Sequence, residues 1–122
     1  MKPFAIGVTT AILLASSVAR AQELKMKEDM RVVAPALEKY AQDRLLGEVW
    51  KRPDLSGRDR SVVTLAALIA RSQTIELPFY LDLALDNGIK PAEISEIITH
   101  LAFYSGWPSA VSAVLRAKEL LK

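Results

Sequence analysis

The sequence predicts an all-α protein, a compact bundle of five to six helices. Three observations carry this. Apolar residues recur at three- and four-residue spacing along most of the chain, no segment alternates apolar and polar residues for long enough to argue for a strand, and Pro and Gly fall where helices start or stop. The chain has 122 residues, 51% hydrophobic and 25% charged, which fits one domain.

Residues 1–21 are expected to be a signal peptide. They hold Lys2 and Arg20 but no acid, an apolar and small-residue run from Phe4 to Val18, and a small-x-small site, Ala19-Arg20-Ala21, before Gln22. The run is too short to cross a membrane comfortably and no stop-transfer segment follows it. The product is therefore expected to be periplasmic or secreted, with no membrane association after cleavage. Residues 22–34 read as an arm or short helix, and 35–122 as the helical domain.

Pro35 suits the first turn of a helix to about Leu46, ended by Gly47. Trp50 to Leu55 reads as a loop, since the residue before Pro53 is pushed from helical angles. Ser56 then caps a helix from Arg58 to Ala70. Its stripe of Val62, Leu65, Ala66 and Ile69 is widened by Val63, Ala67 and Leu68, which predicts a central helix. The next helix runs from near Thr74 to Asn87-Gly88 with Pro78 in its first turn; Leu77, Leu81, Ala84 and Leu85 form its core stripe. Pro91 begins a helix burying Ile94, Ile97, Ile98 and Leu101, with Glu93 and Glu96 facing elsewhere and Gly106 closing it. Pro108 opens the last, from Ser109 to about Leu121, with Val111, Val114, Leu115 and Ala113 expected inward.

Charge excludes several functions. Lys and Arg number 16 against 14 Asp and Glu, and Lys2 and Arg20 both fall in the signal peptide, so the mature chain is balanced. With no basic stripe, no nucleic-acid partner is expected. A chain of about 100 residues buries only roughly 60–70% of its surface, so oligomerisation is a natural supplement. The absence of Cys removes disulfides, thiol catalysis and cysteine metal sites. The sequence has no phosphate-cradling glycine loop, no metal-ligand spacing and no nucleophile elbow, so neither metal nor cofactor is expected.

A few polar residues in apolar helices remain. Glu76 and Tyr80 are four apart and share a helix face; they either relay a proton or are an exposed acid beside a half-buried ring. His100 is the single His. An imidazole suits acid–base work near neutral pH, or it pairs with Glu96 one turn away. Tyr104 and Trp107 flank a helix break and either wall a small-molecule cleft or belong to the core. Arg58 and Arg60 sit at a helix start, where cations oppose the dipole. Either they pair with Asp54 and Asp59, or one of them holds a substrate carboxylate.

Three stretches carry a resemblance: Gly47-Glu-Val-Trp-Lys-Arg-Pro-Asp-Leu-Ser-Gly-Arg-Asp-Arg-Ser-Val-Val-Thr-Leu-Ala-Ala-Leu68, Leu83-Ala-Leu-Asp-Asn-Gly88 and Glu93-Ile-Ser-Glu-Ile-Ile-Thr-His-Leu-Ala-Phe-Tyr-Ser-Gly-Trp-Pro108. From about Gly47 to Ala117 the chain resembles the carboxymuconolactone decarboxylase family. The resemblance implies a helical fold that assembles as a homo-oligomer, a trimer or hexamer. Related thiol peroxidases use a Glu, a Cys-x-x-Cys pair and a His; these positions hold Ser61, Gln73, Glu76 and Tyr80 here, which excludes that mechanism. The decarboxylase branch usually has His at the position of Tyr80 and keeps the second His, matched by His100.

The implied activity is cofactor-free decarboxylation or proton transfer on a small carboxylated lactone or related unsaturated acid. His100 would stabilise the oxyanion, Tyr80 or Glu76 would supply the proton, and Arg60 would orient a carboxylate, with Tyr104 and Trp107 lining the site. The alternative expectation is a non-catalytic periplasmic helical oligomer that binds a small ligand or a partner such as a cupin-type protein.

Overall fold

The computed structural model describes residues 20–121, which contain helices and turns and no strand. The predicted signal peptide therefore lies outside the described residues except for Arg20 and Ala21. Helix α1 covers 20–33 and α2 is Pro35–Tyr40, with Pro in its first turn. The chain then widens into a π-helical turn, Ala41–Leu46, ending at Gly47. The single helix expected here is thus two segments, and neither holds a fully buried residue.

A short 3-10 turn, Val49–Lys51, stands where a plain loop was predicted. Helix α3 follows as Gly57–Ala70, its first turn fixed by the Asp59 amide donating to Ser56 Oγ at 3.0 Å. Then come α4, Leu77–Asp86, α5, Pro91–Ser105, and α6, Trp107–Ala117. Helix α4 starts later than Thr74 because residues 74–76 form a turn, and Pro78 stays in the first turn, where its missing amide is not needed. Gly106, at φ 99° and ψ 147°, makes the sharp corner between α5 and α6. A residue with a Cβ is strained at those angles.

As the apolar circumference of α3 predicts, this helix is central and packs against α4, α5 and α6. Its Leu65 and Ile69 meet Leu77, Leu81 and Ala84 of α4, Ile94 and Ile98 of α5, and Ala113 of α6 in one core. Each large aliphatic side chain so buried contributes about 1.5–3 kcal/mol. Polar ties fix the register. Asn87, just past α4, donates Nδ2 to the Gly57 carbonyl at 3.3 Å and to Ser61 Oγ at 3.1 Å, while Ser61 donates to Gly57 O at 2.9 Å. Arg58 of α3 pairs with Glu93 of α5, and Ser72 bonds Ser109 at 2.8 Å.

Helix α6 departs from its prediction. Ala110, Ala113 and Ala117 are buried, with Ser109, whereas Val111, Val114 and Leu115 are exposed. The apolar stripe is real but points outward. Small residues fill the inner side because α6 sits close against both α3 and α5, leaving no room there for larger side chains.

Candidate active site

The Val49–Lys51 turn holds Trp50 half-buried against α4. Its ring stacks on Tyr80, with centroids 6.1 Å apart and planes inclined by 20°, while Phe79 meets the same tyrosine edge-on at 4.8 Å. Tyr80 is only 9% exposed, and no described residue hydrogen-bonds its hydroxyl. Burial pushes the phenol pKa up, and the nearby Glu76 carboxylate adds to the effect. Tyr80 is therefore held as a neutral phenol, able to donate. Glu76 lies one turn earlier, as the exposed N-cap of α4.

Arg60, in the first turn of α3, is half-buried. Its Nη2 donates to the Arg52 carbonyl at 3.1 Å, which ties it to the turn that carries Trp50. Its Nε is buried without a partner, and no carboxylate of the described residues pairs with it. The expected cluster with Asp54 and Asp59 does not form: Arg58 reaches across to Glu93 and Arg60 to the Arg52 carbonyl. A guanidinium removed from water without an anion is electrostatically unfavourable, and a bound carboxylate relieves this.

His100 lies elsewhere. It is exposed on α5 and stacks on Tyr104, with centroids 4.8 Å apart and planes at 30°, and makes no ion pair with Glu96. Tyr104 and Trp107 are 78% and 68% exposed, so within one chain they wall no enclosed cleft. The structure thus ties Arg60 to the turn that carries Trp50 and stacks Trp50 on Tyr80, one helical turn from Glu76, while His100 stacks on Tyr104 of α5. A groove of about 440 Å³ between α3 and α5, lined by Val62, Ile97 and Glu96 among others, contains none of these candidates. Among the described residues no group of acids and His gathers as a metal site.

Trp50 is the residue that sequence reasoning passed over. Its one signal is a large aromatic two residues before the Arg52-Pro53 break. Of the positions matching the peroxidase pattern, Gln73 is exposed and Ser61 is buried in its Gly57–Asn87 network.

The comparisons with known proteins agree with this fold. Residues 35–119 match the model of the carboxymuconolactone decarboxylase family. The chain is 40% identical over 76 residues to a 4-carboxymuconolactone decarboxylase of Acinetobacter baylyi, covering 62% of this chain and 57% of that protein. It is 38% identical over 69 residues to a nitrosuccinic acid decarboxylase of Metarhizium robertsii, covering 57% and 48%. The aligned region thus spans about half the length of these relatives. With a family match over most of its length and a helical bundle to go with it, the chain belongs to the carboxymuconolactone decarboxylase family.

Proposed function

We propose that the protein is a decarboxylase acting on a small carboxylated lactone or a related unsaturated acid, exported to the periplasm or beyond. The observation that carries this reading is Arg60, a half-buried guanidinium with no acidic partner among the described residues, tied through Arg52 to the turn on which Trp50 stacks with Tyr80. The two relatives' names support it, since both are decarboxylases whose substrates carry carboxyl groups.

The roles follow from the reaction. When carbon dioxide leaves, the carbon–carbon bond breaks and its electron pair moves into the substrate's conjugated carbonyl or an equivalent acceptor. Arg60 holds an anion that stays, while the aromatic wall of Trp50 and Tyr80 offers the departing carboxylate little water, conditions that favour loss of a charge-bearing group. The resulting enolate is protonated at carbon by the Tyr80 phenol, which is then reprotonated from solvent beside Glu76.

The test is carbon dioxide release from 4-carboxymuconolactone, nitrosuccinate and a panel of carboxylated lactones, by wild type, Arg60→Lys and Arg60→Ala. A guanidinium–carboxylate pair is worth about 1.5–3 kcal/mol, so Arg60→Ala is expected to raise KM by roughly 10- to 150-fold, with partial recovery in Arg60→Lys. No release by wild type from any compound, or an Arg60→Ala variant as effective as wild type, would overturn the reading. His100, exposed and stacked on Tyr104, favours the second reading, a non-catalytic oligomer, and that is where such a failure would lead.

A further inference from the structure

The open groove of about 440 Å³ between α3 and α5 has a composition of its own. Its α5 wall follows from helical spacing: Ala92, Glu93, Glu96 and Ile97 lie three and four residues apart and share one side of that helix. Val62 comes from α3, and Ile89, only 2% exposed, completes the lining. Four of these six residues are aliphatic, and the two polar ones are both acids. The two acids differ in what they already hold. Glu93 accepts the Lys90 amide at 3.0 Å and pairs with Arg58, which together hold its carboxyl below the usual carboxylate range. Glu96 is exposed, and no described residue pairs with it.

We propose that this groove is a second small-molecule site, separate from Arg60 and Tyr80, and that it takes an organic ammonium ion with an apolar body. Its volume falls in the range of about 300–1,000 Å³ that small-ligand sites occupy. The aliphatic lining gives an apolar body a place to leave water. The head group is selected by charge: among the lining residues Glu96 is the acid without a partner, and a primary ammonium is cationic at neutral pH and brings three N–H donors to it. A carboxylate ligand, the class that Arg60 attracts, meets two acids here and no lining cation. The groove is open to water, so the charge contributes selectivity more than affinity. This inference does not depend on the decarboxylase reading, and its test needs no substrate.

The experiment is isothermal titration of the full chain with 4-phenylbutylamine and with 4-phenylbutanol, which has the same body and a neutral head. The amine is expected to bind with a Kd of roughly 0.1–1 mM and the alcohol about three- to fivefold more weakly, the usual range for a pair that water screens. Glu96→Gln is expected to bring the two probes together by weakening the amine alone. Ala92→Lys tests the same point from the other side. Position 92 is exposed and one turn from Glu96, so its tethered ammonium occupies the carboxylate and is expected to remove the preference. Arg60→Ala is expected to change neither titration, which distinguishes this groove from the site around Tyr80. Glu96 and Ala92 are both exposed on α5, and circular dichroism checks that each variant keeps its helices; should one not fold, the other decides. No heat from the amine up to about 10 mM, equal binding of amine and alcohol by wild type, a preference that survives in folded Glu96→Gln or Ala92→Lys, or amine binding lost in Arg60→Ala would overturn the proposal.

Discussion

Replacing Tyr80 with Phe separates what the hydroxyl does from what the ring does. The ring packs on Trp50 and Phe79, and Phe keeps those contacts. The hydroxyl bonds no described residue, so at pH 7 the change is expected to alter stability by no more than about 0.5 kcal/mol. Alkaline pH is different. The folded protein holds the phenol pKa above its unfolded value of about 10. The contribution is therefore fully present below pH 10 and is lost as pH rises through the folded value, by up to about 1.4 kcal/mol for each pH unit between the two. Phe has nothing to ionise. Thermal melts of both proteins from pH 7 to 11 are expected to coincide at first and then diverge, with wild type falling faster. Tyr40 and Tyr104 are present in both and cancel. Turnover, where the proposed substrates support it, is expected to drop 10²- to 10⁴-fold, or roughly 3–5 kcal/mol in the barrier. Melting curves that stay parallel to pH 11 would refute the burial argument. Turnover equal to wild type would remove Tyr80 as the proton donor.

Two further predictions concern the scaffold around the site. Asn87→Ala removes both hydrogen bonds that join the end of α4 to the start of α3; it is expected to cost about 1–2 kcal/mol in urea unfolding with an unchanged denaturant slope. An unchanged midpoint would mean the network does not bear on stability. Asp82 has its carboxyl pKa raised by burial first and then by Asp86 and Glu23, against a lowering by Arg20. A raised carboxyl contributes stability below its unfolded pKa of about 4 and loses it as pH rises through the folded value. At pH 7 the ionised group is therefore unfavourable, and Asp82→Asn is expected to raise Tm by up to a few degrees, at most about 1 kcal/mol, with the gain absent at pH 3. A gain of equal size at both pH values would show that ionisation is not its source.

How much of this is legible in the sequence depends on the range of the interaction. Helix α5 is announced by Pro91, by Ile94 and Ile98 one turn apart, and by Gly106, all of them local signals that the structure reproduces. Glu76 and Tyr80 are close because a helix puts residues four apart on one face. The stripe on α6 is equally legible, but its direction is not. Periodicity defines a face without saying which neighbour it meets, and close packing against α3 and α5 selected the alanines. The partners of Arg58 and Trp50 lie beyond local reach. Glu93 is 35 residues from Arg58, and the Trp50–Tyr80 stack exists because a 3-10 turn folds back onto α4. With Arg58 claimed by Glu93, Arg60 is the one of the two without an acid among the described residues, and neither its charge nor its position in the helix foretells that.

The tyrosine at position 80 narrows the chemistry of the proposed site. A histidine there, as is usual in the decarboxylase branch, exchanges protons both ways near neutral pH. A phenol whose pKa is raised above its ordinary value by burial gives up a proton only to a strong base and does not take one from a substrate. Reactions that begin by removing a proton from carbon therefore need another base, and the carboxylate one turn from Tyr80, Glu76, stands exposed at the N-cap of α4. Decarboxylation has no such first step. It generates its own strong base, the enolate, when the carbon–carbon bond breaks, and asks of the protein only a grip on the retained anion and a proton afterwards. Arg60 and Tyr80 supply those two things. On this reasoning the same site should decarboxylate acids that carry an internal electron sink and leave isomers of those acids, which require proton abstraction first, unchanged.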